Sequence, residues 1–175
     1  MRCFDYHFVQ NLDAKNESNS ILERKLYSFK SDKTSQVYHL IVDVCKFNTY
    51  VVKFYLKNHR YSKRKYNILS NLNEPRNVLY TCLCILIREI YNINPKASFG
   101  FIASNLINES KNNTKRFRFY EKFISTFVGN KTFNHYKYEE FSAYILIPRL
   151  ALSENSNLCN EIFSMFKEHN FCEEY

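Results

Sequence analysis

The sequence predicts an α+β fold, a central mixed β-sheet flanked by helices, with an amphipathic helix appended at the C-terminus. Two observations carry this. Runs rich in β-branched and aromatic residues come in pairs joined by short links, at 37–47 with 50–57 and at 133–139 with 142–147. Two long stretches with apolar residues at helical spacing, 75–91 and 113–128, stand among these strands without alternating strictly with them. Hydrophobic residues make up 45% of the chain and aromatics 17%, with 16 Phe, 14 Tyr and no Trp. That excludes general disorder and predicts an aromatic core. The 175 residues suit one domain over 1–150, followed by an acidic helical extension over 151–175.

Taken in order, Cys3–Val9 alternates as a strand does. Ser20 and Glu23 form a capping box ahead of Ile21, Leu22 and Leu26, which predicts a short helix over 21–29. The strands 37–47 and 50–57 follow, linked at Asn48-Thr49, and a third strand is expected at 65–69. Pro75 opens a helix that runs to Tyr91 with Val78, Cys82, Leu86 and Ile90 on one stripe, deep against the sheet. Ser98–Ala103 reads as a buried strand. The helix 113–128 carries Phe117, Tyr120, Ile124 and Phe127 on one side. A closing hairpin ends at Pro148. A last helix over 156–169 has an apolar stripe of Leu158, Ile162, Met165 and Phe166, which calls for burial on its own domain or on a partner.

Charge is unevenly placed. The net charge is +8, but residues 151–175 carry −4, which leaves +12 on the rest. Such a basic body suits an anionic partner. Arg60, Lys63, Arg64 and Lys65 lie beside Tyr61 and Tyr66, a mixture that suits single-stranded nucleic acid. Lys115, Arg118 and Lys122 fall on one helix face and form a second basic group. The plain alternative for both groups is a solvated surface. Cys82 and Cys84 point apart on a helix, and neither the six cysteines nor the five histidines have metal-ligand spacing, so no metal is expected. No signal segment and no stretch of about 20 apolar residues is evident, which predicts a cytoplasmic protein without a membrane partner.

From residue 75 onward the order is helix, buried strand, helix, hairpin. Asn113 opens the second helix, and Tyr120-Glu121-Lys122 follows seven residues later. This arrangement resembles the GNAT acetyltransferase superfamily over about residues 36–148. Only 113–122 is specific in sequence. The resemblance implies a coenzyme A pyrophosphate at the N-terminus of the first long helix and a general acid at Tyr120. Asn71, Asn73, Arg76, Asn77 and Asn113 would be the cofactor-binding residues. The departures are pronounced. The loop 70–77 has no glycine, Glu74 puts a negative charge where the anion would sit, and Pro75 removes a donor. Each change could cost about 1–3 kcal/mol. Arg116 stands where the family has a small residue, and Ile124 replaces a glycine. No carboxylate stands out as a base on the expected third strand, where Asn67 is the nearest polar candidate and a water relay is the alternative.

Three functions stay open. The first is a non-catalytic GNAT-like interaction protein with no cofactor, acting through a macromolecular partner, with a homo-oligomer through the C-terminal helix as one form. The second is an N-acyltransferase using acetyl-CoA in an unusual loop. The third is a small basic protein that binds RNA or DNA.

Overall fold

A computed structural model describes residues 1–13, 19–68, 73–106 and 109–168. Its strands are β1 (Tyr6–Leu12), β2 (Ile21–Lys30), β3 (Val37–Cys45), β4 (Thr49–Leu56), β5 (Ser98–Ile102), β6 (Phe133–Tyr138) and β7 (Ala143–Pro148). They form one sheet in the order β1-β2-β3-β4-β5-β7-β6. Every neighbouring pair is antiparallel except β4 and β5. That pair runs parallel because the chain crosses over through α1 (Pro75–Ile85) before it returns as β5. The other helices are α2 (Lys115–Phe127), α3 (Arg149–Glu154) and α4 (Leu158–Glu168). The α+β class, with a mixed sheet flanked by helices, is as the sequence predicts.

Local signals misled in three places. The helix expected over 21–29 is instead β2, paired on both sides. Tyr27 and Phe29 stack into the core opposite Leu40 and Tyr38, and this long-range pairing outweighs a capping signal that is local. A register shift between Ile21 and Glu23 accommodates Leu22, which is left exposed. Ser20 uses its backbone carbonyl to accept from Lys46 N–H at 3.0 Å. The strand expected at 65–69 is a series of turns through Asn67, with position 69 outside the described residues. The cap of α2 is Thr114, whose Oγ1 accepts from Phe117 N–H at 3.1 Å. Asn113 precedes it at a φ of 48°. The helix from Pro75 does run to Tyr91, but Leu86–Tyr91 is wound as a π-helix.

The two faces of the sheet are covered by different helices. Tyr38, Leu40, Val42, Val52, Phe99, Phe101, Tyr144 and Leu146 pack under α1 and α2. On the other face Cys45, Val51, Ile145 and Ile147 pack under Ala151 of α3 and the stripe Leu158, Ile162, Met165 and Phe166 of α4. The C-terminal helix therefore docks on its own sheet through the stripe read from the sequence. Phe166 lies against Gly100 so closely that a Cβ there would stand 2.5 Å from its Cζ. Gly100 is needed for this close approach, since its φ is not positive.

Gly100→Ala should therefore destabilise the fold by about 1–3 kcal/mol through overpacking. Phe166→Leu in the same chain should recover part of the loss, as read by urea unfolding. A Gly100→Ala chain as stable as the wild type would place Phe166 away from β5.

Candidate ligand cleft

β4 and β5 are in register only from Thr49–Val52 against Ser98–Phe101. β4 then continues to Leu56, still paired with β3 as far as Tyr38, while β5 ends at Ile102. Beyond the four shared positions β4 has, among the described residues, a partner on one side only. A cavity of about 440 Å³ lies there. Val52, Phe54 and Leu56 of β4 and Phe101 and Ile102 of β5 line it. Val78, Leu79 and Cys82 of α1 form one wall, and Arg116, Phe119 and Tyr120 of α2 form another. Lys65, Tyr66 and Ile68 of the turn after β4 complete the wall, with Lys115. Its volume falls in the usual range of small-molecule sites. The described lining residues are mainly apolar, and none of them is Asp, Glu or His.

Tyr120 is half-buried, with its ring near that of Phe54 at 6.2 Å between centroids. Its hydroxyl has no hydrogen-bond partner among the described residues. Burial pushes that hydroxyl up to about 12, against the lowering effect of the Arg116 charge and with a small raising effect from Cys82. Tyr120 thus leaves the apolar stripe of Phe117 and Ile124, both fully buried, and faces the cleft. Arg116 stands four residues before it, one helical turn away. Its Nη2 donates to Ile68 O at 3.0 Å, and its Nη1 donates to Tyr66 O. These two bonds tie the turn after β4 to α2. Both acceptors are neutral carbonyls, and no carboxylate among the described residues pairs with this guanidinium. Sequence reasoning noted Arg116 only as a departure from a pattern. The signal that could have singled it out is its i, i+4 spacing to Tyr120.

The other candidates lie apart. Asn71 is outside the described residues. Asn73, Arg76 and Asn77 gather with Arg2 and Lys33 around a separate depression at the start of α1. Glu74, expected to repel an anion there, is among the residues lining that depression and is buried, with its carboxylate bonded to the β2–β3 loop. It accepts from Ser31 Oγ at 2.8 Å and from Thr34 Oγ1 at 3.1 Å. Asn113 is occupied by its backbone, its N–H donating to Glu139 O at 2.8 Å and its carbonyl accepting from Arg118. It is no part of the cleft. The Asn67 side chain donates to Asn105 O at 2.9 Å.

Arg60, Lys63 and Arg64 are exposed on the turn, with the Arg60 guanidinium 4.5 Å from the ring centre of Tyr61, itself 85% exposed. Lys65 lies over Tyr55 and Tyr66 at 4.9 and 5.2 Å. Of the second basic group, only Lys115 reaches the cleft, while Arg118 and Lys122 stay on the exposed side of α2. Lys53 of β4 is buried and paired with Asp43 at 3.1 Å, beside the Arg24–Asp43 pair. No group of three or more His, Cys, Asp or Glu that could hold a metal occurs among the described residues. Nor is any described helix long and apolar enough to cross a membrane.

Compared with models of protein families, with curated proteins and with solved structures, the chain has no match.

The geometry at Tyr120 is open to titration. The tyrosinate absorbance difference between wild type and Tyr120→Phe should centre near pH 12 instead of the usual 10.0. Arg116→Gln should move it higher, because a lowering charge is lost. The folded value lies above the unfolded one, so the stability contributed by the protonated hydroxyl is intact below pH 10.0 and lost as pH rises through about 12. A difference spectrum centred at 10.0, unmoved by Arg116→Gln, would put the hydroxyl in open water.

Proposed function

We propose that this is a GNAT-like protein that works by binding and does not transfer acyl groups, with the cleft beyond the β4–β5 pairing as its ligand site. The order that carries the family resemblance, α1, β5, α2 and the β6–β7 hairpin, supports the GNAT-like part. The observation that carries the rest is the cleft wall itself, which offers donors, among them Arg116, Tyr120, Lys65 and Lys115, and no carboxylate or imidazole among the described residues. Acyl transfer to an amine needs a group that takes the amine proton. A macromolecular partner would meet the exposed turn at Arg60, Tyr61, Lys63 and Arg64. The buried free thiols Cys45 and Cys82 suit a reducing cytoplasmic setting.

A second reading, an acetyl-CoA-dependent acyltransferase, draws on the Tyr120 hydroxyl in the cleft and on the Glu74 carboxylate being engaged by Ser31 and Thr34. Pro75 still removes a backbone donor from that helix end. Calorimetric titration with acetyl-CoA separates the two. The binding-only reading expects no Kd tighter than about 100 μM. Tighter binding, with turnover that falls in Tyr120→Phe, would establish the transferase instead. Single-stranded RNA, titrated at two salt concentrations, checks the nucleic-acid reading. That reading requires an affinity that drops steeply with salt and a slope flattened by neutralising Arg60, Lys63, Arg64 and Lys65.

A further inference from the structure

The cleft combines an apolar body with a cationic end, and this combination specifies a ligand. Val52, Phe54, Leu79 and Phe101 present hydrocarbon and ring surface on β4, α1 and β5. At the α2 end stand the Arg116 guanidinium and the Tyr120 hydroxyl, one helical turn apart. A guanidinium carries five N–H donors, and Arg116 spends two of them on the carbonyls of Tyr66 and Ile68. Carbonyl acceptors satisfy donors without cancelling charge. The cleft therefore holds the Arg116 charge, with Lys65 and Lys115 also on its wall and no acidic residue among the described lining residues, and the Tyr120 hydroxyl has a proton to give.

A planar carboxylate matches that pair of donors, and charge-assisted bonds of this kind are the strong ones. The apolar remainder selects what is attached to it. A nucleotide or sugar would set polar atoms against Val52, Phe54 and Leu79 with nothing to bond them, which is costly. An aliphatic chain gains from the same surface, at about 0.8 kcal/mol per buried methylene.

We propose that the cleft binds a free medium-chain fatty acid, its carboxylate held by Arg116 and Tyr120 and its chain laid between β4, β5 and α1. The inference rests on the binding-only reading, and it gives Tyr120 the role of a head-group donor. No bond is made or broken.

The test is isothermal calorimetry of the full-length chain with sodium decanoate below its micelle concentration. Decanol serves as the matched neutral chain, and acetyl-CoA is run in parallel. A single saturable site with a Kd on the order of 10–100 μM is expected. Decanol should bind at least about tenfold more weakly, and Arg116→Gln and Tyr120→Phe should each weaken decanoate by about tenfold while leaving decanol unchanged. Should Arg116→Gln fail to fold, because it also frees the turn at Tyr66 and Ile68, Arg116→Lys and Tyr120→Phe carry the test. The lysine should keep part of the affinity. Absence of saturable decanoate binding overturns the proposal. So does equal binding of decanol, or decanoate binding that is indifferent to the folded variants. Failure with decanoate while acetyl-CoA also stays unbound sinks this inference alone. Tight acetyl-CoA binding instead sinks the reading on which it rests.

Discussion

Four residue pairs hold β4 to β5, and the candidate site depends on that contact being so short. The pairing is the only parallel one among the described strands, and it closes after Val52 and Phe101. A strand flanked by a partner on one side only cannot seal the core there. The gap is lined by α1, α2 and the turn after β4, which leave a cavity between them. Had β5 continued alongside β4 to Leu56, the space would be sheet and no cleft would form. The two-carbonyl bond of Arg116 matters for the same reason, because it fixes the turn as a wall instead of leaving it to collapse inward.

The rest of the molecule braces this opening. On the face away from α1 and α2, α4 presses Phe166 onto Gly100, in the middle of β5 and opposite Val51 of β4. The parallel contact is thereby gripped from behind at its centre. Nearby, Asp43 is fully buried between Arg24 and Lys53, one from each neighbouring strand. Charges placed like this stabilise little by themselves, but losing one partner leaves another stranded, so they fix the pairing of β2, β3 and β4. At the far end of β4, Asn48 and Asn94 exchange two side-chain hydrogen bonds and tie the β3–β4 turn to the end of the crossover helix. The start of the parallel pair is thus held and its end is free.

Much of this architecture could be read from residue patterns. The hairpins, the helices beginning at Pro75 and near Asn113, and the burial of the Leu158–Phe166 stripe all followed from periodicity, because in each the local pattern agrees with the tertiary environment. β2 did not, because its capping-box residues are local while its partners lie as far away as Tyr38 and Cys45. The cleft was only half legible. Tyr120 was singled out by a motif, yet its stripe with Phe117 suggested core, and only the end of the β4–β5 pairing explains why it faces a cavity. Arg116 looked like a defect when measured against a family pattern. In the fold it joins Lys65 and Lys115 as a cation on the cavity wall, and no spacing rule shows that it lacks an acidic partner among the described residues. Glu74 misled in the opposite sense, since Ser31 and Thr34, which draw its carboxylate aside, are distant in sequence.

The central claim is that β4 loses its partner beyond Val52. Amide hydrogen exchange read residue by residue tests it most directly. Over Thr49–Val52, flanked on both sides, every amide should be protected. Over Lys53–Leu56 protection should alternate, with the amides facing β3 slow and those facing the cleft fast. Uniform slow exchange through Leu56 would mean that the strand is paired on both sides along its whole length, and that no open cleft exists for a ligand.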